Sequence, residues 1–247
     1  MRVGPFVVDP LDGADLVSAF GELLDGRDAD RSPLCFGLHV SALNARSNAS
    51  LVRAVNAADL VYADGNSIVA LARLGGSPRF GSSVTTDIGH CFLAEASRRL
   101  GRPARVALVG GPLGLAAQAG ARLSLLHDVE IVATETGYSN DWAPVVRRLK
   151  AAGPDVVVVG LGIPAENLWA MRWRHDLGGS VVFSCGGWFG YLAGNEPRAP
   201  SWLRRAHLEW VYRLHLAPSR LGPRYVRGVF SVLALMPGQL GRRLARS

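Results

Sequence analysis

The chain contains a single lysine, Lys150, only three cysteines, and no apolar run long enough to span a bilayer. A spanning helix needs about 20 apolar residues. The longest candidate here, Gly228 to Met236, stops after nine residues at Pro237. The N-terminus has no basic stretch ahead of an apolar core, so no signal peptide is expected. Cys35, Cys91 and Cys185 are far apart and odd in number. That spacing fits neither a metal site nor a disulfide framework, which points to a reducing cytoplasmic setting and to buried, inert thiols. Lys150 falls on a helical pattern with an exposed face, so no Tyr–Lys arrangement suits hydride transfer.

Acidic residues are also missing, but from one region only. Residues 198–247 hold ten arginines against one acid, Glu209, a charge of +9. Residues 1–197 hold 17 basic and 19 acidic residues and are nearly neutral. A basic tail on a neutral body suggests an anionic partner: a membrane surface, a nucleic acid or a phosphorylated ligand. With 247 residues, 49% of them hydrophobic, the chain can bury a sizeable core. The division expected is an α/β domain over 1–197 and a basic, Arg/Trp-rich helical appendage over 198–247.

Within the first region, short apolar runs alternate with helical periodicity. Strands are expected at 6–8, 34–43, 60–63, 105–110, 129–134, 156–159 and 180–185. Helices are expected at 15–24, 49–57, 67–74, 86–100, 115–126, 142–152 and 165–175, with Thr85 or Thr86 capping the helix over 86–100. Strands with little polar alternation, each followed by a helix, indicate a Rossmann-like, mostly parallel sheet covered on both faces.

The run Leu60-Val61-Tyr62-Ala63 ends in Asp64-Gly65, and a helical pattern comes next. That places a carboxylate at the C-terminal edge of the sheet, where ligands of open α/β sheets bind. Asp64 has a second reading as a helix cap. Three strands end in glycine turns: Gly110-Gly111, Gly160-Leu161-Gly162 and Gly186-Gly187. Such turns let backbone amides approach a phosphate, although each also serves strand-to-helix packing. Three of them beside Asp64 point to a nucleotide-type pocket. In the tail, Trp202, Trp210 and Tyr212 interleave with arginines, and Pro218 and Pro223 divide the remaining residues into short helices and a final amphipathic one. The aromatics either face an anionic surface or pack on the main domain.

Taken as an ordered set, these motifs resemble the WecB/TagA/CpsF glycosyltransferases (glycosyltransferase family 26), which are bacterial N-acetylmannosaminyl- and related hexosyltransferases of cell-envelope polysaccharide and teichoic acid synthesis. The marks are Ala57-Ala58-Asp59-Leu60-Val61 running into Asp64-Gly65, then Leu108-Val109-Gly110-Gly111 and Gly137-Tyr138. Gly160-Leu161-Gly162 with Pro164 and Trp169 comes after these, then Gly186-Gly187 with Phe189. Arg198-Ala199-Pro200 with Trp202, and Leu208-Glu209-Trp210 with Tyr212-Arg213, complete the series. The resemblance implies inverting transfer of a hexosyl group from a UDP-sugar to a polyprenyl-diphosphate-linked sugar at the inner face of the membrane. It implies no essential metal or cofactor, and self-association in some members. Asp64 matches the proposed base. The donor is expected at Gly65, Asn66, Gly110, Gly111, Tyr138, Gly162, Pro164, Glu166, Asn167, Gly186 and Gly187. The acceptor and the anionic membrane are expected at Arg204, Arg205, Arg213, Arg220 and Arg224.

The chain departs from the family pattern at three places. Ungapped counting puts Phe36 and Leu38 where a Thr-x-Asn motif is usual, with His39 next as the polar candidate, catalytic or structural; Asn44 lies six residues too late. Glu166 replaces a usual glutamine, and Asn167 a common glutamate. The element from Arg79 to Asp87 is a loosened Arg-x-x-Gly-Ser-Asp. Other readings are a sugar-nucleotide-binding protein that has lost turnover, a dinucleotide-binding oxidoreductase built on the Gly110-Gly111 turn, and, more distant, a nucleic-acid binder without a recognised module.

Overall fold

The structure is a computed structural model that describes residues 1–200, 202–203 and 209–245. The chain opens with an antiparallel hairpin, β1 (Arg2–Val3) and β2 (Phe6–Val7), so the first expected strand pairs locally and stays out of the main sheet. Helix α1 (Gly13–Asp25) buries Leu16, Phe20 and Leu24, which recur every fourth residue on one face. Then come β3 (Leu34–Leu38), α2 (Val40–Asn44), α3 (Ala49–Asn56), β4 (Leu60–Ala63), α4 (Asn66–Leu74) and α5 (Thr85–Leu100). The second half runs β5 (Ala104–Gly110), α6 (Leu115–Leu126), β6 (Val129–Glu135), α7 (Ala143–Ala152), β7 (Val156–Gly160), α8 (Ala165–Trp173), β8 (Val181–Ser184) and α9 (Trp188–Leu192). Two further helices, α10 (Glu209–Leu216) and α11 (Pro218–Leu244), close the described chain.

Strands β3 to β8 form one parallel sheet in the order β4-β3-β8-β7-β5-β6. Alternate residues of each strand enter opposite cores, as the two-residue period of a strand requires. Phe36, Leu38, Val157, Val159 and Val182 pack on the side of α2, α3, α4, α7 and α8. Cys35, Tyr62, Val156, Val158 and Phe183 pack on the side of α1, α5, α6 and α9. This is the expected α/β fold with helices on both faces.

Four local expectations are corrected. The strand expected over 34–43 stops at Leu38, because His39 caps α2, its Nδ1 accepting from Ser41 N at 3.3 Å. The apolar residues beyond it change period and bury Ala42 and Leu43 from a helix. Neither Thr85 nor Thr86 caps α5, whose N-cap is Val84. Cys35 and Cys185 are buried, whereas Cys91 is exposed on the solvent face of α5. Lastly, Pro223 does not divide the tail: α11 runs through both Pro223 and Pro237. Pro218 sits in the first turn, where an N–H has no partner to lose. The two interior prolines each remove a helical hydrogen bond. Burial of Leu221 and packing of Val232, Leu235 and Met236 on the core offset that loss. Polar ties to α2 add to it: Asn44 Nδ2 donates to Arg224 O at 3.0 Å, and Ser231 Oγ to Asn44 Oδ1 at 2.9 Å. Asn44 is thereby committed to holding α11.

Candidate active site

Neighbouring strands β3 and β8 send the chain to opposite faces of the sheet, β3 into α2 on one side and β8 into α9 on the other. That arrangement opens a crevice at the carboxyl ends of parallel strands. A cavity of about 790 Å³ occupies that place. Its floor is made by Gly37, His39, Asp64, Gly65 and Asn66 together with Gly162, Glu166, Gly186 and Gly187. Its far wall is α10 and α11, through Trp210, Arg213, Arg224, Tyr225 and Val229.

Asp64 extends β4 by one residue, its N–H donating to Leu38 O at 2.9 Å. Gly65 comes next at φ +107°, which frees the chain to turn directly into α4. Asp64 does not cap that helix: the N-cap is Gly65, without a side-chain bond. Instead, Asp64 Oδ2 accepts from Thr85 Oγ1 at 2.7 Å, and Thr85 Oγ1 lies 2.7 Å from Tyr62 OH. Because the threonine proton goes to the carboxylate, the tyrosine must donate to the threonine, giving a relay from Tyr62 to Thr85 to Asp64. Burial pushes Asp64 up to about 6, tempered by the Thr85 hydrogen bonds and by the charges of Arg213 and Arg224. It is therefore mostly ionised at neutral pH.

Burial, with Arg224 and Arg213 nearby, holds His39 down at about 3, so its imidazole is neutral. Its Nδ1 accepts from Ser41 N and lies 3.3 Å from Arg224 Nη2. The ring proton therefore sits on Nε2, which makes His39 a hydrogen-bonding group and not a proton acceptor at neutral pH. Glu166 is fully buried and is pushed up to about 7, against hydrogen bonds from the amides of Gly162, Gly186 and Leu161. On the wall, Arg213 lies 5.2 Å from the centre of the Tyr191 ring, and Trp210 meets Tyr225 edge to face. Arg224 is largely buried, and its Nε has no partner in the described structure.

Of the residues expected at the site, Asp64, His39, Gly65, Asn66, Gly162, Glu166, Gly186, Gly187, Arg213 and Arg224 line this cavity. Gly110, Gly111, Tyr138, Pro164 and Asn167 do not. At Gly110 a Cβ would come within 2.3 Å of Gly160 O, so that glycine serves close strand packing. Gly111 O is taken by Gly137 N at 2.8 Å. Tyr138 is exposed, Asn167 is buried behind the site, and Pro164 begins α8. Arg204 and Arg205 lie outside the described residues, as does the side chain of Arg220. Sequence reasoning missed Tyr191 and Tyr225, and it placed Thr85 only as a helix cap. Among the described residues no three His, Cys, Asp or Glu side chains converge as a metal ion would require.

Residues 1–246 match a family model described as glycosyl transferase WecG/TagA/CpsF family. The chain is similar to the N-acetylglucosaminyldiphosphoundecaprenol N-acetyl-beta-D-mannosaminyltransferase of Bacillus spizizenii strain W23. The two are 31% identical over 181 residues, 71% of this chain and 69% of that protein. A protein of the same description from Bacillus subtilis strain 168 is 29% identical over 167 residues, 67% of this chain and 64% of that protein.

Proposed function

The chain belongs to the WecG/TagA/CpsF family of glycosyl transferases, and on that premise we propose that it transfers N-acetylmannosamine or a related hexose, with inversion, from a UDP-sugar to a polyprenyl-diphosphate-linked sugar. The observation that carries this reading is Asp64: an ionisable carboxylate, aimed by Thr85 and Tyr62 into a cavity whose opposite wall is cationic. Asp64 takes the proton of the acceptor hydroxyl while that oxygen attacks the anomeric carbon. The bond from this carbon to the diphosphate breaks, and UDP leaves with the electron pair. One displacement inverts the configuration. Charge gathering on the leaving diphosphate is met by Arg213 and Arg224, in surroundings drier than bulk water.

The same helices suit a lipid-linked acceptor. Val226, Val229, Phe230 and Leu233 recur at helical spacing on α11 and are 54–67% exposed, with Arg227 exposed among them. Among the described residues no helix is long and apolar enough to cross a membrane. An apolar stripe bordered by arginine lies in the lipid interface and does not cross it. We place the protein peripherally, at the inner face of the membrane.

The test is UDP release from UDP-N-acetylmannosamine, with and without N-acetylglucosaminyl-diphosphoundecaprenol in liposomes. Acceptor-dependent release that Asp64→Asn abolishes supports the reading. Binding of UDP without any release would instead favour the sugar-nucleotide-binding protein that has lost turnover.

A further inference from the structure

The turns after β7 and β8 carry the backbone amides that the glycine pattern offers to a phosphate. In the structure those amides are already engaged. Gly162 N donates to Glu166 Oε2 at 2.9 Å, and the amides of Leu161 and Gly186 are near enough to favour the same carboxyl in its ionised form. Glu166 stands on the first turn of α8, is 1% exposed, and still lines the cavity. Convergent backbone N–H groups make an anion-binding nest. Here the protein supplies the anion from its own side chain. A diphosphate brought to the same turns would meet a carboxyl that already holds Gly162 N and repels it whenever ionised, an arrangement that disfavours it. The third glycine turn, after β5, lies outside the cavity.

The group that fits beside Glu166 is the reacting end of the donor. Glu166 and Asp64 line one cavity closely enough for the charge of Asp64 to act on Glu166. Asp64 must reach the acceptor oxygen at the anomeric carbon, so the hexose ring lies next to both carboxyls. Its hydroxyl and acetamido groups are what a carboxyl can pair with. We propose that Glu166 is a specificity-determining residue that holds the hexose of the donor, while the diphosphate lies against Arg213 and Arg224 and not in the glycine turns. This assignment rests on the UDP-hexose reading of the same cavity.

The groups facing Glu166 agree with that role. They are Asp64 from the end of β4, Cys185 after β8 and Arg224 from α11. Burial raises the Cys185 thiol and keeps it neutral, and Arg224 remains a cation, so Asp64 is the anion that Glu166 meets. With Glu166 near 7, both forms of its carboxyl exist at neutral pH; the protonated one can donate as well as accept.

Calorimetric titration with UDP and with UDP-N-acetylmannosamine tests the assignment. Glu166→Ala should weaken the sugar nucleotide about tenfold, the loss of roughly one hydrogen bond. Glu166→Gln, which keeps a donor and an acceptor, should weaken it less, and both should leave UDP within about twofold. Tighter UDP binding in the variants would put the diphosphate beside Glu166 and overturn the proposal. Equal weakening of both ligands would overturn it too. If the wild type binds neither ligand, the UDP-sugar reading itself fails, a different outcome from either of these. Should the variants not fold, the carboxyl carbon signal of Glu166 in the wild-type protein gives the answer. Its titration midpoint should move with UDP-N-acetylmannosamine and stay put with UDP; a midpoint unmoved by the sugar nucleotide overturns the proposal.

Discussion

The cavity has two unlike sides. Its floor is the ends of a buried parallel sheet: Val156 to Val159 are inaccessible to solvent, and the two carboxyls that emerge there find partners within the chain, Asp64 with Thr85 and Glu166 with Gly162 N. Its wall is α10 and α11, where Phe230 is 67% exposed and Trp210 50%, and the buried Arg224 Nε has no partner among the described residues. A surface with paired polar groups and filled cores is complete in itself. A surface that turns apolar side chains and cations outward is completed by something else. The floor therefore carries the chemistry, and the wall carries the meeting with phosphate and lipid.

The largest expected effect lies on the floor. Asp64→Asn should lower kcat by about 10²- to 10⁴-fold, the range of a lost general base, and leave liposome binding unchanged. It should also raise the melting temperature. A carboxyl whose folded pKa is about 6 binds protons more tightly than in the unfolded chain. Folding stability then falls as pH rises from about 4 to about 6, and the cost persists above that. Asparagine removes the cost, so the gain should be full above about pH 6 and vanish below about pH 4. A variant that stays active would move the chemistry off the floor and break the contrast between the two sides.

The next effect belongs to the wall. Val226→Ser with Phe230→Ser should lower partitioning into anionic liposomes by up to about a hundredfold, the worth of two apolar side chains leaving lipid. The melting temperature should hold, since both residues are exposed. Activity on a lipid-linked acceptor should fall with the partitioning, and UDP affinity should not. Loss of thermal stability without loss of liposome binding would show that this stripe packs within the protein.

The two sides were also unequally legible in the sequence. Asp64 was visible because a buried strand, an Asp-Gly turn and a helical pattern each leave a local signature. The Thr85 hydroxyl was not, because it returns to the same edge only after the irregular segment 75–84, whose path no periodicity encodes. Glycine turns were readable as turns but not as to purpose: Gly110 is demanded by the approach of Gly160, and the amide at Gly162 is consumed by a side chain four residues on. In α11 the prolines argued for breaks, yet their cost is local and the packing against α2 and α4 is spread along the helix. Local sequence reports the cost of a proline and is silent on what offsets it.

The smallest effect sharpens the floor from within. Thr85→Val keeps shape but removes the hydrogen bond that the hydroxyl gives to Asp64. That bond holds the carboxyl down against burial, so its loss should raise Asp64 by about one unit. The base works only when ionised, so the acidic limb of kcat against pH should move up by the same amount. At about pH 7 the variant should therefore be about twofold slower, and at about pH 9 the two proteins should converge. Convergence separates this role from a structural one, because misplacing Asp64 would depress the rate at every pH. Tyr62, left without its acceptor, accounts for a modest loss of stability in the same variant. Glu166, near 7, is still mostly protonated where Asp64 ionises, so Glu166→Gln should leave this limb close to its wild-type position. The double variant should then keep the upward shift of Thr85→Val, as expected if the hydroxyl acts on the Asp64 carboxylate directly.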